Sequence, residues 1–232
     1  MITARKARWF ERVFASYNRN LLARRFQGLR VCGLEHLKAQ ASASVPLVLY
    51  ANHSSWWDGL VTFQAGYRAR LDQFFMMEEK QLREYPLFRR LGCFSIVRDD
   101  ARAALHSIKY ATDLLNDTNR TLWIFPQGEL AANDLRPLKL FSGTARIINR
   151  CGRVVRAAPV AMRFDFLDDF RPEAFLKVGT PDIIEASNQS NAKQLTGHLE
   201  HRLTAELDAL RDDVMHKNFA GYDEIVAPQR RG

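Results

Sequence analysis

Between about residues 4 and 26, large apolar side chains (Trp9, Phe10, Val13, Phe14, Tyr17, Leu21, Phe26) recur at spacings of one, three, four and five, with arginines between them. That pattern predicts an amphipathic helix, apolar on one face and basic on the other. Beyond it the pattern shifts to short apolar runs separated by longer periodic stretches. Strands are predicted at Leu29–Cys32, Pro46–Tyr50, Gln73–Met77, Cys93–Val97 and Thr121–Phe125. Helices are predicted from Asp58 to about Arg70, from Ala101 to Leu115 with Leu105, Ile108, Leu114 and Leu115 on the apolar side, and from about Ser142 to Arg150. Lys80 to Arg90 reads as a short helix and a turn around Pro86. Val154-Val155 and Val160–Phe164 read as late strands broken by Pro159. A strand near Leu176–Val178, a polar loop at Ser187–Asn191 and a helix to about Asp213 complete the pattern.

The recurring order of strand, helix and strand predicts an α/β fold. The expected architecture is a mixed, largely parallel sheet flanked by helices, preceded by the basic amphipathic helix. Residues 1–27 are assigned to that helix, 28–215 to one domain and 216–232 to a mobile tail ending in Arg230-Arg231-Gly232.

Composition narrows the function classes. The chain has 232 residues, 47% of them hydrophobic, enough for one fair-sized core. Three widely spaced cysteines, Cys32, Cys93 and Cys151, form neither a disulfide framework nor a zinc pattern, which fits a reducing, cytoplasmic setting. No apolar leader and no run of about 18 apolar residues is present, so neither a signal peptide nor a membrane span is expected. The net charge of +8 is concentrated at the start. Residues 1–30 hold eight cations (Arg5, Lys6, Arg8, Arg12, Arg19, Arg24, Arg25, Arg30) against Glu11, giving 8 − 1 = +7. A nucleic-acid binder would carry its basicity across the folded surface, so no nucleic-acid partner is expected. Aromatics opposite arginines instead suit a helix lying on an anionic membrane surface.

One stretch carries a histidine and a carboxylate placed for joint work, Ala51-Asn52-His53-Ser54-Ser55-Trp56-Trp57-Asp58-Gly59. Residues five apart face oppositely on a strand and lie roughly 140° apart on a helix. A turn must bring His53 and Asp58 together. The sequence supplies it, with turn and cap formers at Asn52–Ser55 and a helix opening at Asp58. That puts the pair at the carboxyl end of a strand, where open α/β sheets bind ligands. Backbone amides near the helix start at Trp57 and Asp58 are expected to help hold a developing oxyanion. Other chemistries lack support: there is no G-x-S-x-G elbow, no G-x-G-x-x-G, no Walker A and no H-E-x-x-H, and Cys93 lies in an apolar strand where a thiol is inert.

Four blocks in order resemble the glycerolipid and lysophospholipid acyltransferase family, of the 1-acylglycerol-3-phosphate acyltransferase type. Asn52–Asp58 resembles its N-H-x4-D signature, and Gly92–Arg98 its glycine-strand-arginine block. Phe125-Pro126-Gln127-Gly128-Glu129 resembles its F-P-E-G-T-R block, and Ala158-Pro159-Val160 its proline block. Leu138-Lys139 with Gly143 resembles the lysine and glycine that trail the third block, and the resemblance spans about residues 28–180. It implies His53 as general base, oriented by Asp58, activating a lipid hydroxyl against an acyl thioester. No cofactor or metal is implied, and coenzyme A or acyl carrier protein serves as co-substrate. The acceptor is expected to be held by Arg98, Gln127, Gly128 and Glu129, with Arg136 or Lys139 standing in for the family's arginine where this chain has Leu130. That replacement opens the acceptor class to lyso-lipids and hydroxylated lipids other than phosphorylated glycerols. The expected whole is a cytoplasmic enzyme, peripheral on the inner face of the cell membrane. The alternative is a non-catalytic lipid-binding member of the same fold.

Overall fold

The computed structural model describes residues 1–98, 100–152, 154–185 and 191–229. The expected loop at Ser187–Asn191, except Asn191, and the terminal Arg230–Gly232 lie outside the described residues. The chain runs α1 (Arg8–Arg25), β1 (Leu29–Cys32), α2 (Leu34–Gln40), β2 (Leu47–Ala51), α3 (Asp58–Arg68), β3 (Gln73–Glu78) and α4 (Glu79–Glu84). A 3-10 turn at Pro86–Leu91 precedes β4 (Cys93–Ile96), α5 (Ala101–Leu115), β5 (Thr121–Ile124) and α6 (Gly143–Arg150). Then follow β6 (Val154–Asp165), β7 (Glu173–Val178), β8 (Asp182–Glu185), α7 (Ala192–Met215) and β9 (Tyr222–Val226).

One mixed sheet has the order β4-β3-β5-β2-β6-β7-β1-β9, with β8 paired to β6. From β4 through β6 every neighbouring pair is parallel. Helices cover both faces, so the central strand β2 is buried at all five positions. Its side chains alternate between two cores. Leu47, Leu49 and Ala51 join the cluster under α1 and α3, while Val48 and Tyr50 join the one under α5, α6 and α7.

Three local expectations are corrected. Pro159 does not break the late strand: β6 is continuous for 12 residues. On one edge β8 pairs with Val154–Ala157 and β7 with Val160–Asp165, so Pro159 stands at the handover between partners, where its missing N–H interrupts no ladder. Residues 216–229 are not a loose tail, because β9 pairs antiparallel with β1. Helix α2 falls where no element was expected.

The apolar stripe of α1 is divided between two faces. Leu22 and Ala15 are buried, and Phe14 packs edge-on against Phe63 of α3 at 5.0 Å between ring centres. Asn18, fully buried, donates to Leu60 O (2.9 Å) and Gln64 Oε1 (3.1 Å), so a polar seam fixes the register of α1 on α3. Trp9, Val13 and Tyr17, at i, i+4 and i+8, point outward at about 60% exposure each. The outer face is therefore aromatic as well as basic. Leu105, assigned to the apolar side of α5, is also exposed.

Candidate active site

The turn after β2 folds around one carboxylate oxygen. Asp58 opens α3 fully buried, and its Oδ2 accepts from His53 Nδ1 (2.8 Å), Ser54 N (2.7 Å) and Ser55 N (2.9 Å). A carboxylate acceptor at Nδ1 fixes the proton there, leaving Nε2 as the basic nitrogen. The His53 ring is partly exposed and stacks on Phe125 at 4.7 Å. The amides of Trp57 and Asp58 are not available as oxyanion donors. They donate to Ser55 Oγ and Ser55 O, each at 3.2 Å, because the tight turn that joins the pair consumes them.

The third block wraps the other side of His53. Its backbone N–H donates to Gln127 Oε1 (2.8 Å), and its carbonyl accepts from Ala131 N (2.8 Å). Asn52 ties the same turn to β6, accepting from Met162 N (2.7 Å) and donating to Met162 O (3.0 Å) and Asn133 Oδ1 (2.9 Å). Gln127, expected to touch the acceptor, thus holds the histidine's backbone. Asn52 and Phe125 were not assigned to the site, although both sit in matched blocks.

A cavity of about 500 Å³ opens beside His53 and runs between the two layers of helices. Its apolar wall includes Phe14, Leu60, Phe63, Phe75, Met77 and Leu91, and exposed Trp56 stands at its edge. Arg98, Gly128 and Glu129 line it with His53, so these expected residues do converge. The Arg98 guanidinium lies 3.6 Å from Glu78 Oε1 and 5.8 Å from the Phe141 ring centre. Gly128 has φ +74°, and a Cβ there would collide with the Arg98 guanidinium and the Phe141 ring. The left-handed backbone by itself requires glycine here, and the Arg98 guanidinium and the Phe141 ring occupy the space beside it.

Arg136 and Lys139 are not brought to the cavity. Arg136 donates to Asn133 O (2.8 Å), Leu135 O (2.9 Å) and Asp208 Oδ1 of α7 (2.7 Å), which pins the loop to that helix. Lys139 is exposed and is absent from the cavity wall. Cys93 does line the wall, but burial pushes its thiol up to about 12, so it stays protonated and poorly nucleophilic. Among the described residues no group of three or more His, Cys, Asp or Glu side chains is placed to hold a metal.

The site is thus a histidine-aspartate pair at a strand end, facing a largely apolar cavity that also holds Arg98. The acyltransferase family model matches residues 28–163, more than half of the chain, and the chain belongs to that family. Among curated proteins it is similar to the 1-acyl-sn-glycerol-3-phosphate acyltransferase of Streptococcus pneumoniae, 31% identical over 117 residues. That match covers 49% of this chain and 40% of the relative, less than half of the relative's length. Among solved structures it resembles the 1-acyl-sn-glycerophosphate (LPA) acyltransferase PlsC of Thermotoga maritima, with a TM-score of 0.62 and 17% identity. The superposition spans 88% of this chain and 79% of that one, and the two share the fold.

Proposed function

We propose that the protein moves a fatty acyl group from an acyl thioester, of coenzyme A or acyl carrier protein, to a hydroxyl of a lyso-phospholipid or related lipid. The observation that carries this reading is the His53–Asp58 pair, joined at 2.8 Å and facing the apolar cavity. A hydroxyl attacks a thioester slowly unless its proton leaves as the bond forms. His53 Nε2 takes that proton, and Asp58 stabilises the resulting imidazolium from the Nδ1 side. The hydroxyl oxygen bonds to the carbonyl carbon, the carbon–sulfur bond breaks, and the departing thiolate recovers the proton from His53. No covalent intermediate on the protein is required. The names of the relatives make a 1-acylglycerol-3-phosphate one member of the acceptor class.

The protein works at the inner surface of the cell membrane, held by the outer face of α1. Trp9, Val13 and Tyr17 supply apolar area, and exposed Arg8, Arg12 and Arg19 beside them attract anionic lipid. No helix of the described residues is long and apolar enough to cross a membrane. Thioester release is the direct test. Purified protein with acyl-coenzyme A or acyl carrier protein and a lyso-lipid should release thiol and form diacyl product, and His53→Ala should abolish both. Equal rates in the two proteins end the proposal, and tight lipid binding without any thioester consumption would favour a non-catalytic lipid binder instead.

A further inference from the structure

The catalytic turn, the third-block loop and the loop between β6 and β7 follow the carboxyl ends of β2, β5 and β6, three neighbouring parallel strands, so they share one edge of the sheet. That edge is apolar. Trp56, Leu130, Leu135, Phe141, Phe166 and Phe170 stand on these loops at 58–70% exposure. The loops at the amino ends of the same strands, residues 41–46, 116–120 and 151–152, expose no large apolar side chain among the described residues. Large apolar surface gathered at one end of a fold marks a contact. Trp56, Leu130 and Phe141 also line the catalytic cavity, so this part of the edge is its mouth. Leu130 takes the place of the family's arginine, which makes its corner of the mouth apolar instead of charged.

A line of rings joins the mouth to the β6–β7 loop. Trp56 packs on Trp57 (5.5 Å between ring centres), Trp57 on Phe26 (5.0 Å) and Phe26 on Phe164 (5.6 Å), two residues before Phe166. The same loop is fastened to the end of α1. Arg171 donates to Ala23 O (3.2 Å) and Gln27 Oε1 (2.7 Å), and Gln27 N donates to Pro172 O (2.9 Å). Its three acidic side chains each have a donor within the chain: Arg163 for Asp165, Lys217 for Asp168 (2.6 Å) and the Arg171 amide for Asp169 (3.1 Å). The two phenylalanines thus project from a loop that is tied down at both ends.

We propose that this edge dips into the lipid layer, with Phe166 and Phe170 as a second anchor beside α1, so that the cavity mouth opens into lipid. The proposal goes beyond the α1 contact and rests on the reading of the protein as one that works on membrane lipids. Two features select a bilayer over a protein partner. The exposed side chains belong to three separate loops around an opening, and four of the six are aromatic, which suits the boundary between headgroups and acyl chains. The opening also leads into an apolar cavity. A lyso-lipid drawn sideways from the bilayer into that cavity never exposes its chain to water, which removes the largest cost of delivering it.

The test uses the full chain and vesicles of phosphatidylglycerol and phosphatidylcholine, and compares wild type with the double variant Phe166→Ser, Phe170→Ser. Neither residue lines the cavity. In high salt, where the arginines of α1 are screened, wild type should stay bound and the double variant should partition at least about tenfold more weakly. Its rate on a lyso-lipid held in vesicles should fall about fivefold or more, while its rate on a short-chain monomeric acceptor with the same head stays within about twofold. Phe166→Trp with Phe170→Trp should bind as wild type does. A second measurement leaves the loop intact: brominated lipid should quench the tryptophan fluorescence of wild type more than that of Trp56→Phe. Equal partition of the serine variant, or equal quenching with and without Trp56, overturns the proposal. So does a wild type that self-associates through these phenylalanines in sedimentation velocity while its vesicle binding ignores their substitution, which would make the edge a protein interface. A wild type that binds no vesicles at any salt concentration overturns the membrane reading itself, and this proposal with it.

Discussion

Asp58 Oδ2 receives the His53 ring and the amides of Ser54 and Ser55 at 2.7–2.9 Å, so one buried oxygen both closes the turn and orients the imidazole. Structure and chemistry share that atom, and the choice of substitution separates them. Asp58→Asn keeps an acceptor for the two amides and removes the charge that, in the proposed mechanism, stabilises the imidazolium. Its kcat should fall roughly 100- to 10,000-fold. Asp58→Ala leaves the amides unpaired as well, and should lose about 1–3 kcal/mol of stability in denaturant titration. An asparagine variant with wild-type kcat would remove Asp58 from the mechanism.

Gln127 holds His53 from behind, accepting from its backbone N–H at 2.8 Å. In the proposed mechanism that makes it a positioning residue. Gln127→Leu strands that N–H and should cost about 1–3 kcal/mol, with a fall in kcat rather than a rise in acceptor KM. Gln127→Glu retains the accepting oxygen and should recover most of the rate. A leucine variant that changes KM alone would return Gln127 to substrate binding.

The outer stripe of α1 can be removed while its buried face, Ala15, Asn18 and Leu22, stays intact. Replacing Trp9, Val13 and Tyr17 together by serine should weaken partition onto anionic vesicles about tenfold or more. Each of these side chains is about 60% exposed, so the melting temperature should hardly move. Sedimentation with vesicles reads the effect, and unchanged binding would show that α1 does not carry the membrane contact.

Glu206 of α7 predicts a pH dependence. Burial pushes its carboxyl above the ordinary value of 4.5, against the opposing pull of Lys177, Arg202 and His36. Such an acid holds more protons folded than unfolded between its two pKa values. Stability therefore falls as pH rises from the unfolded value through the raised folded one. Glu206→Gln removes that slope, so its melting temperature relative to wild type should climb as pH rises above the ordinary carboxyl value of 4.5. A constant or shrinking difference would contradict the burial argument.

The Cys93 thiol, held up to about 12 by burial, is protonated at neutral pH although it lines the cavity. Cys93→Ala should keep its acyl-transfer rate within a few-fold and form no acyl-enzyme detectable by mass spectrometry. Loss of transfer comparable to that of His53→Ala would put a covalent step back into the mechanism.

By itself the sequence determined most of the elements and the pair at the centre. Apolar runs of four to six residues punctuated by polar turns specify strands whichever partner they find, and five residues with turn formers between them force His53 and Asp58 to meet. Functions of contacts remote in sequence were decided only by the tertiary structure. Gln127 meets His53 across 74 residues and Arg136 meets Asp208 across 72, so no local pattern distinguishes the first as a support for the base or the second as a pin for a loop. Periodicity shows that a helix has an apolar side but not how much of it a neighbour covers. Packing against α3 divided α1 into a buried face and an exposed aromatic one, and packing of α5 on the sheet left Leu105 outside. The short strand β9 was illegible because its stability comes from pairing with β1 at the other end of the chain. In each case the deciding free energy belongs to a long-range contact, and a one-dimensional pattern does not contain it.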